Sequence, residues 1–137
     1  VFLGAENVFA GTAKPIRDAE PDWLPSADAE DVEHAVAFTT GAVTLYAIGH
    51  VIPGNAHAVI RADDISLSRV AGASSVRNQF RGKVVDMAPA GAITRVTIDV
   101  SGLPLVAAVT TRSARELQLA AGVEVFAAFK ATAVHLC

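Results

Sequence analysis

The chain repeats itself, and that repetition limits its possible folds more than any other feature of its 137 residues. Asn7-Val8-Phe9-Ala10-Gly11-Thr12-Ala13 returns 71 positions later as Asn78-Gln79-Phe80-Arg81-Gly82-Lys83-Val84. Arg61-Ala62-Asp63-Asp64-Ile65-Ser66-Leu67 returns 69 positions later as Lys130-Ala131-Thr132-Ala133-Val134-His135-Leu136. A looser pair, Thr40-Gly41-Ala42-Val43-Thr44-Leu45 and Ser101-Gly102-Leu103-Pro104-Leu105-Val106, keeps the order at an offset of 61. Common order and spacing predict two like units, residues 1–70 and 71–137. Units of this size bury too little surface to be stable alone, so they are expected to pack together or to associate with further copies.

Each copy contains short runs of Val, Ile, Ala, Phe and Thr bounded by Gly, Pro or Asn, which is strand and turn chemistry. Strands are expected at Val8 to Ile16, Val32 to Thr39, Val43 to Ile48 and Ala56 to Arg61 in the first copy. The second copy offers Phe80 to Met87, Ile93 to Val100, Leu105 to Thr110 and Val123 to Val134. Arg95-Val96-Thr97-Ile98-Asp99-Val100 alternates apolar and polar residues, so that strand has one buried face. One helix is expected, with Ser113 as N-cap, Glu116 as its capping-box partner and Gly122 as the stop after Leu117 and Leu119. The predicted class is mainly β: tandem OB-like five-stranded barrels, the second with one short helix and the first a stripped-down version.

Charge differs between the copies. Residues 1–70 carry ten acidic and four basic side chains, whereas residues 71–137 carry four acidic and seven basic. Seven of the acids (Asp18, Glu20, Asp22, Asp28, Glu30, Asp31 and Glu33) share a stretch with Pro21, Pro25 and Trp23, which reads as a solvated loop. No run approaches the apolar length of a membrane span. Val1 opens the chain with neither a Met nor a basic n-region, as expected of a fragment or processed chain rather than a secretory precursor. Cys137, the one cysteine, excludes an internal disulfide and favours a reducing compartment. The four histidines show no metal-ligand spacing.

Three separated motifs in the second copy carry a resemblance. Ser74-Ser75-Val76-Arg77-Asn78 precedes Gly82-Lys83-Val84; Thr110-Thr111-Arg112-Ser113 precedes the helix; and Lys130-Ala131-Thr132 lies near the end. In this order they resemble the Mop, or molbindin, domain of the TOBE superfamily, whose small domains bind molybdate and tungstate. Phe2 to Gly11 and Ile60 to Leu67 are similar to segments that follow the nucleotide-binding domain in ABC importer ATPases. The whole chain resembles the C-terminal regulatory pair of domains of a molybdate or tungstate importer. No G-x-x-x-x-G-K-[ST] loop occurs, so the chain itself is not expected to be an enzyme.

The resemblance implies a ligand and a site. Molybdate is a tetrahedral dianion whose oxygens only accept hydrogen bonds, so a selective pocket supplies hydroxyls, backbone N–H groups and cations, with no inward carboxylate. On the family pattern the oxyanion-contacting positions are Ser75, Arg77, Thr110, Ser113, Lys130 and Ala131, the last through its backbone. In the first copy Glu6 stands where Arg77 stands in the second, and Asp63-Asp64 where Thr132-Ala133 stand. At an effective dielectric near 20, two unit charges about 4 Å apart repel by about 4 kcal/mol. The second copy is therefore expected to carry the site and the first to be structural. In this family the motifs often meet between subunits, which implies a homo-oligomer with shared pockets. The parent would also contact ABC nucleotide-binding and membrane subunits, in the cytoplasm at the inner face of the membrane.

Other functions remain open at this stage. A free-standing molbindin-type store of molybdate would gain from two working copies. The effector half of a molybdate-dependent repressor would need a DNA-binding domain. OB-type barrels also bind nucleic acid through aromatic platforms in basic grooves, but 6% aromatic residues and a pI of about 5.7 oppose that. A TOBE region of a sugar, polyamine or iron importer fits the first copy alone.

Overall fold

A computed structural model describes residues 6–16, 35–49, 53–72 and 78–137. Their alternating apolar and polar residues form β1 (Glu6–Pro15), β2 (Ala35–Thr40), β3 (Val43–Ile48), β4 (Gly54–Arg61) and β5 (Ser66–Ser68). The second repeat forms β6 (Asn78–Ala90), β7 (Ile93–Val100), β8 (Leu103–Thr110), the helix α1 (Thr111–Glu116), β9 (Glu124–Phe129) and β10 (His135–Leu136). Two antiparallel sheets of five strands result, in the orders β10-β4-β1-β2-β3 and β5-β9-β6-β7-β8. A mainly β chain with five strands per sheet and one short helix agrees with the sequence.

The fifth strand of each sheet comes from the other repeat. β5 closes the first repeat yet pairs with β9, Ser66 facing Ala128 and Leu67 facing Ala127. β10 closes the second repeat and pairs with β4, His135 facing Val59 and Leu136 facing Ala58. The expected strand Val123 to Val134 is therefore cut short. β9 stops at Phe129, and a 3-10 turn over Ala131–Ala133, closed by Ala133 N–H donating to the Lys130 carbonyl at 2.9 Å, redirects the chain to the other sheet. A matching turn, Ala62–Asp64, redirects the first repeat.

The two halves are also clamped by side chains. The Asn7 amide donates to the Val106 carbonyl (2.9 Å) and its oxygen accepts from Val106 N–H (2.8 Å). Asn78 makes the same pair with Tyr46, at 2.9 and 2.8 Å. Both asparagines are buried, and each bonds an edge strand of the opposite sheet, which has no neighbouring strand on that side among the described residues. Sequence alone reads them only as turn or strand-entry residues. They do open their strands, but their side chains reach across the junction.

The clamp also corrects the alignment of the looser repeat. Thr40 faces Val43 across one hairpin and Val100 faces Leu103 across the other, so the hairpins correspond at an offset of 60 rather than 61. Tyr46 and Val106, the two clamped residues, obey the same offset. Gly41 (φ 57°) takes the first left-handed position of one turn and Ser101 (φ 50°) that of the other, where the backbone conformation outranks residue identity.

Gly11 and Gly82, the glycines kept in both copies, mark close approaches. A Cβ on Gly11 would strike the Thr39 carbonyl and the Phe38 ring, and one on Gly82 would lie 2.6 Å from the Asp99 carbonyl. The apolar faces of both sheets share one core, which includes Phe38, Leu45 and Ile60 from the first repeat and Val96, Ile98, Val125 and Phe129 from the second. On β7 the inward residues Thr94, Val96, Ile98 and Val100 are buried and Asp99 is exposed, as the alternation predicts.

Candidate functional site

β8 delivers its last residue, Thr110, to the start of α1. Thr110 is the N-cap: its hydroxyl accepts from Ser113 N–H at 3.0 Å and donates to Ser113 Oγ at 2.8 Å. The expected cap at Ser113 thus moves back by three residues, and Ser113 becomes the third residue of the helix. Its amide is already engaged, and Thr111 N–H donates to the Ala92 carbonyl at 2.8 Å, so what this corner offers a ligand is chiefly hydroxyl chemistry. Glu116, read as the capping-box partner, instead accepts from Arg112 Nε at 3.1 Å.

The helix also ends earlier than predicted. Gln118 adopts φ 54°, Gln118 N–H donates to the Arg115 carbonyl and Leu119 N–H to the Ala114 carbonyl, both at 3.0 Å. These bonds form a Schellman ending after a single turn and a half, with Gln118 in the place glycine usually holds. Gly122 lies beyond it and serves the turn into β9, its N–H donating to the Val84 carbonyl at 2.7 Å. Arg69, just past β5, donates from Nη1 to the Leu117 carbonyl at 2.9 Å, a cation placed on the helix C-terminus.

Thr110 and Ser113 line a cavity of about 390 Å³ together with Val109, Glu116 and Leu117 and, from the first repeat, Ser66 and Leu67. The Glu116 carboxylate on this wall stays exposed, as does its Arg112 partner.

Lys130 and Ala131 occupy a different corner. Lys130 is exposed at the mouth of the Ala131–Ala133 turn and forms no ion pair with any described residue, while Ala131 is buried. That turn packs against β3 of the opposite sheet, whereas α1 packs against β8 and β7. The described lining of the cavity includes neither Lys130 nor Ala131, so the structure does not unite the two motifs there. Ser75 and Arg77 lie outside the described residues, as does the whole acidic stretch from Asp18 to Glu33.

The first repeat is differently equipped at the position of Lys130. Arg61 donates from Nε to Asp63 Oδ1 at 3.1 Å and from Nη2 to Oδ2 at 3.3 Å. This hydrogen bond, against a smaller opposing effect of desolvation, holds the Asp63 carboxyl below its ordinary value of 3.8. Asp63 and Asp64 are both exposed, so an anion approaching Arg61 meets two carboxylates.

Sequence reasoning missed Ser66 and Leu67 as walls of the cavity. Their signal was present as the Ser-Leu and His-Leu ends of the repeat, but nothing local says which sheet receives them. Among the described residues no cluster of His, Cys, Asp and Glu could hold a metal ion, and no helix is long and apolar enough to cross a membrane.

Comparison with known proteins fits this geometry. Residues 74–136 match the family described as the TOBE domain. Over 135 residues, 98% of its length, the chain is 34% identical to the molybdate/tungstate import ATP-binding protein WtpC of Pyrococcus abyssi, of which it spans 33%. It is 35% identical over 83 residues to WtpC of Pyrococcus horikoshii, covering 61% of this chain and 24% of that protein. The chain thus spans a third or less of the curated relatives it matches. Among solved structures, ModG, a cytoplasmic molybdate-binding protein crystallised with molybdate bound, shares the fold at a TM-score of 0.79 and 23% identity, over 99% of this chain and 98% of that one.

Proposed function

We propose, from the premise that residues 74–136 belong to the TOBE domain family, that this chain binds molybdate or tungstate and reports the oxyanion level to an ABC importer ATPase. The observation that carries this reading is the pair of hydroxyls, Thr110 and Ser113, held 2.8 Å apart at the edge of a cavity, in a chain related along nearly its whole length to a molybdate/tungstate import protein. Hydroxyls, and elsewhere in the same repeat a lysine with no ionic partner among the described residues, suit a proton-free dianion, and the Glu116 carboxylate on the cavity wall is paired with Arg112. The ligand set is Ser75, Arg77, Thr110, Ser113, Lys130 and the Ala131 backbone. Because Lys130 and Thr110 occupy different corners of one chain, a second copy supplies the missing half of each pocket, in the cytoplasm. Regulation requires the oxyanion to bind one importer state more tightly than another. The chain is then a binding module whose parent carries the ATPase.

A second reading, a free-standing oxyanion store, draws support from the end-to-end match of fold with ModG. The parent gene discriminates the two: finding a nucleotide-binding domain encoded upstream would favour the sensor over the store.

Isothermal titration tests the binding. Molybdate and tungstate are expected to give heat, sulfate and phosphate none, and Lys130→Ala is expected to weaken binding at least tenfold, the scale of a lost charged hydrogen bond. Unchanged affinity removes Lys130 from the site. Sedimentation equilibrium tests the shared pocket, since a strict monomer that binds tightly contradicts it.

A further inference from the structure

The first repeat has lost the charged equipment of its sibling, yet it is not absent from the pocket. β5 crosses to the second sheet and lays Ser66 and Leu67 on the wall that faces Thr110 and Ser113. We propose that the Ser66 hydroxyl is a further hydrogen-bond donor to the tetrahedral oxyanion, beside the Ser113 hydroxyl, making the pocket a composite of both repeats. This rests on the oxyanion-binding reading above.

Three observations place Ser66 there. It lines the same cavity as Thr110 and Ser113, which gathers three hydroxyl-bearing residues there, while the one carboxylate on the wall, Glu116, is exposed and paired with Arg112. Ser66 is exposed rather than committed to the core. Its present bond, from Oγ to the Ala128 carbonyl, is 3.2 Å, longer than the usual O–H···O distance of about 2.7–2.8 Å, so a rotation about χ1 exchanges a weak partner for a charged one. The backbone is fixed meanwhile. Ser66 to Ser68 pair with Ala128 to Phe126, and Arg69 ties the end of the strand to the last turn of α1 through the Leu117 carbonyl. A segment held at both ends presents its hydroxyl without an ordering cost on binding.

The repeat provides an internal control. His135 occupies the place of Ser66 on β10, pairs with Val59 in the other sheet and does not line this cavity. An oxyanion held by the Ser66 wall is indifferent to His135.

The test is titration of the full chain with molybdate, with thermal melts to confirm folding of each variant. Ser66→Ala is expected to weaken binding about tenfold or more, Ser66→Thr to retain most of it, and Ser66→Asp to abolish it through repulsion. His135→Ala is expected to stay within about twofold of the parent. If the parent gives no heat, the oxyanion reading itself fails. If the parent binds and both Ser66→Ala and Ser66→Asp bind as it does, the composite pocket is wrong and the oxyanion reading stands.

Discussion

At the end of β4 the chain reads Arg61-Ala62-Asp63, and at the end of β9 it reads Lys130-Ala131-Thr132; both build the same 3-10 turn. In the first, the cation is spent on its own neighbour, Asp63, through two hydrogen bonds. In the second, a threonine replaces the carboxylate and the lysine has no ionic partner among the described residues. The backbone requirement is identical, so the turn survives in both. The charge requirement is not part of the turn, so it is free to diverge. This contrast separates what the repeat keeps for folding from what it leaves free to change.

Several substitutions probe that contrast. The largest expected effect lies where the halves are still equivalent: Asn78→Ala removes, at a fully buried position, the two hydrogen bonds that its side chain makes with the Tyr46 backbone. A loss of roughly 2–4 kcal/mol in urea unfolding is expected, and Asn7→Ala should cost a similar amount. A markedly unequal pair of values breaks the symmetry of the junction. Next comes Gln118→Gly, at the helix the first half lacks among its described residues. Relieving a left-handed non-glycine residue is expected to raise stability by about 0.5–1 kcal/mol, read as a higher unfolding midpoint, and a fall would mean that the Gln118 side chain makes a contact that outweighs the strain.

The smallest effect concerns Asp63. Its carboxyl is held below 3.8 in the folded chain, so its pairing contributes stability above that value and loses it as pH falls through the lowered folded value. Asp63→Asn is expected to lower stability slightly above pH of about 4, only slightly because the pair is exposed, and so to flatten the acid limb, the two proteins converging as pH falls. An acid limb identical in both proteins would remove Arg61–Asp63 as a distinguishing feature of the first half.

Much of the fold was legible in the sequence. β3 and β7 have the predicted bounds, since Val43 to Ile48 and Ile93 to Val100 combine alternation with glycine-containing turns on their flanks. The helix was legible in place but not in its ends, because Thr110, Ser113 and Gln118 compete for roles that only backbone angles decide. The candidate ligand residues were readable in the second repeat, but that Thr110 and Ser113 share one corner while Lys130 and Ala131 share another was not, and neither was the place of Ser66 on the cavity wall.

By itself the sequence determined the pairing of like units, the strands with one buried face, the glycines at Gly11 and Gly82 and the loss of favourable charge at Asp63-Asp64. Those properties are written in periodicity, size and charge, which act over a few residues. Only the tertiary structure decided that β5 and β10 change sheets, that Asn7 and Asn78 bind edges across the junction, and that Thr110 faces Ser66 and not Lys130. Strands of two or three residues carry no period to read, and backbone hydrogen bonds accept any sequence that arrives in register, so long-range geometry settles their partners.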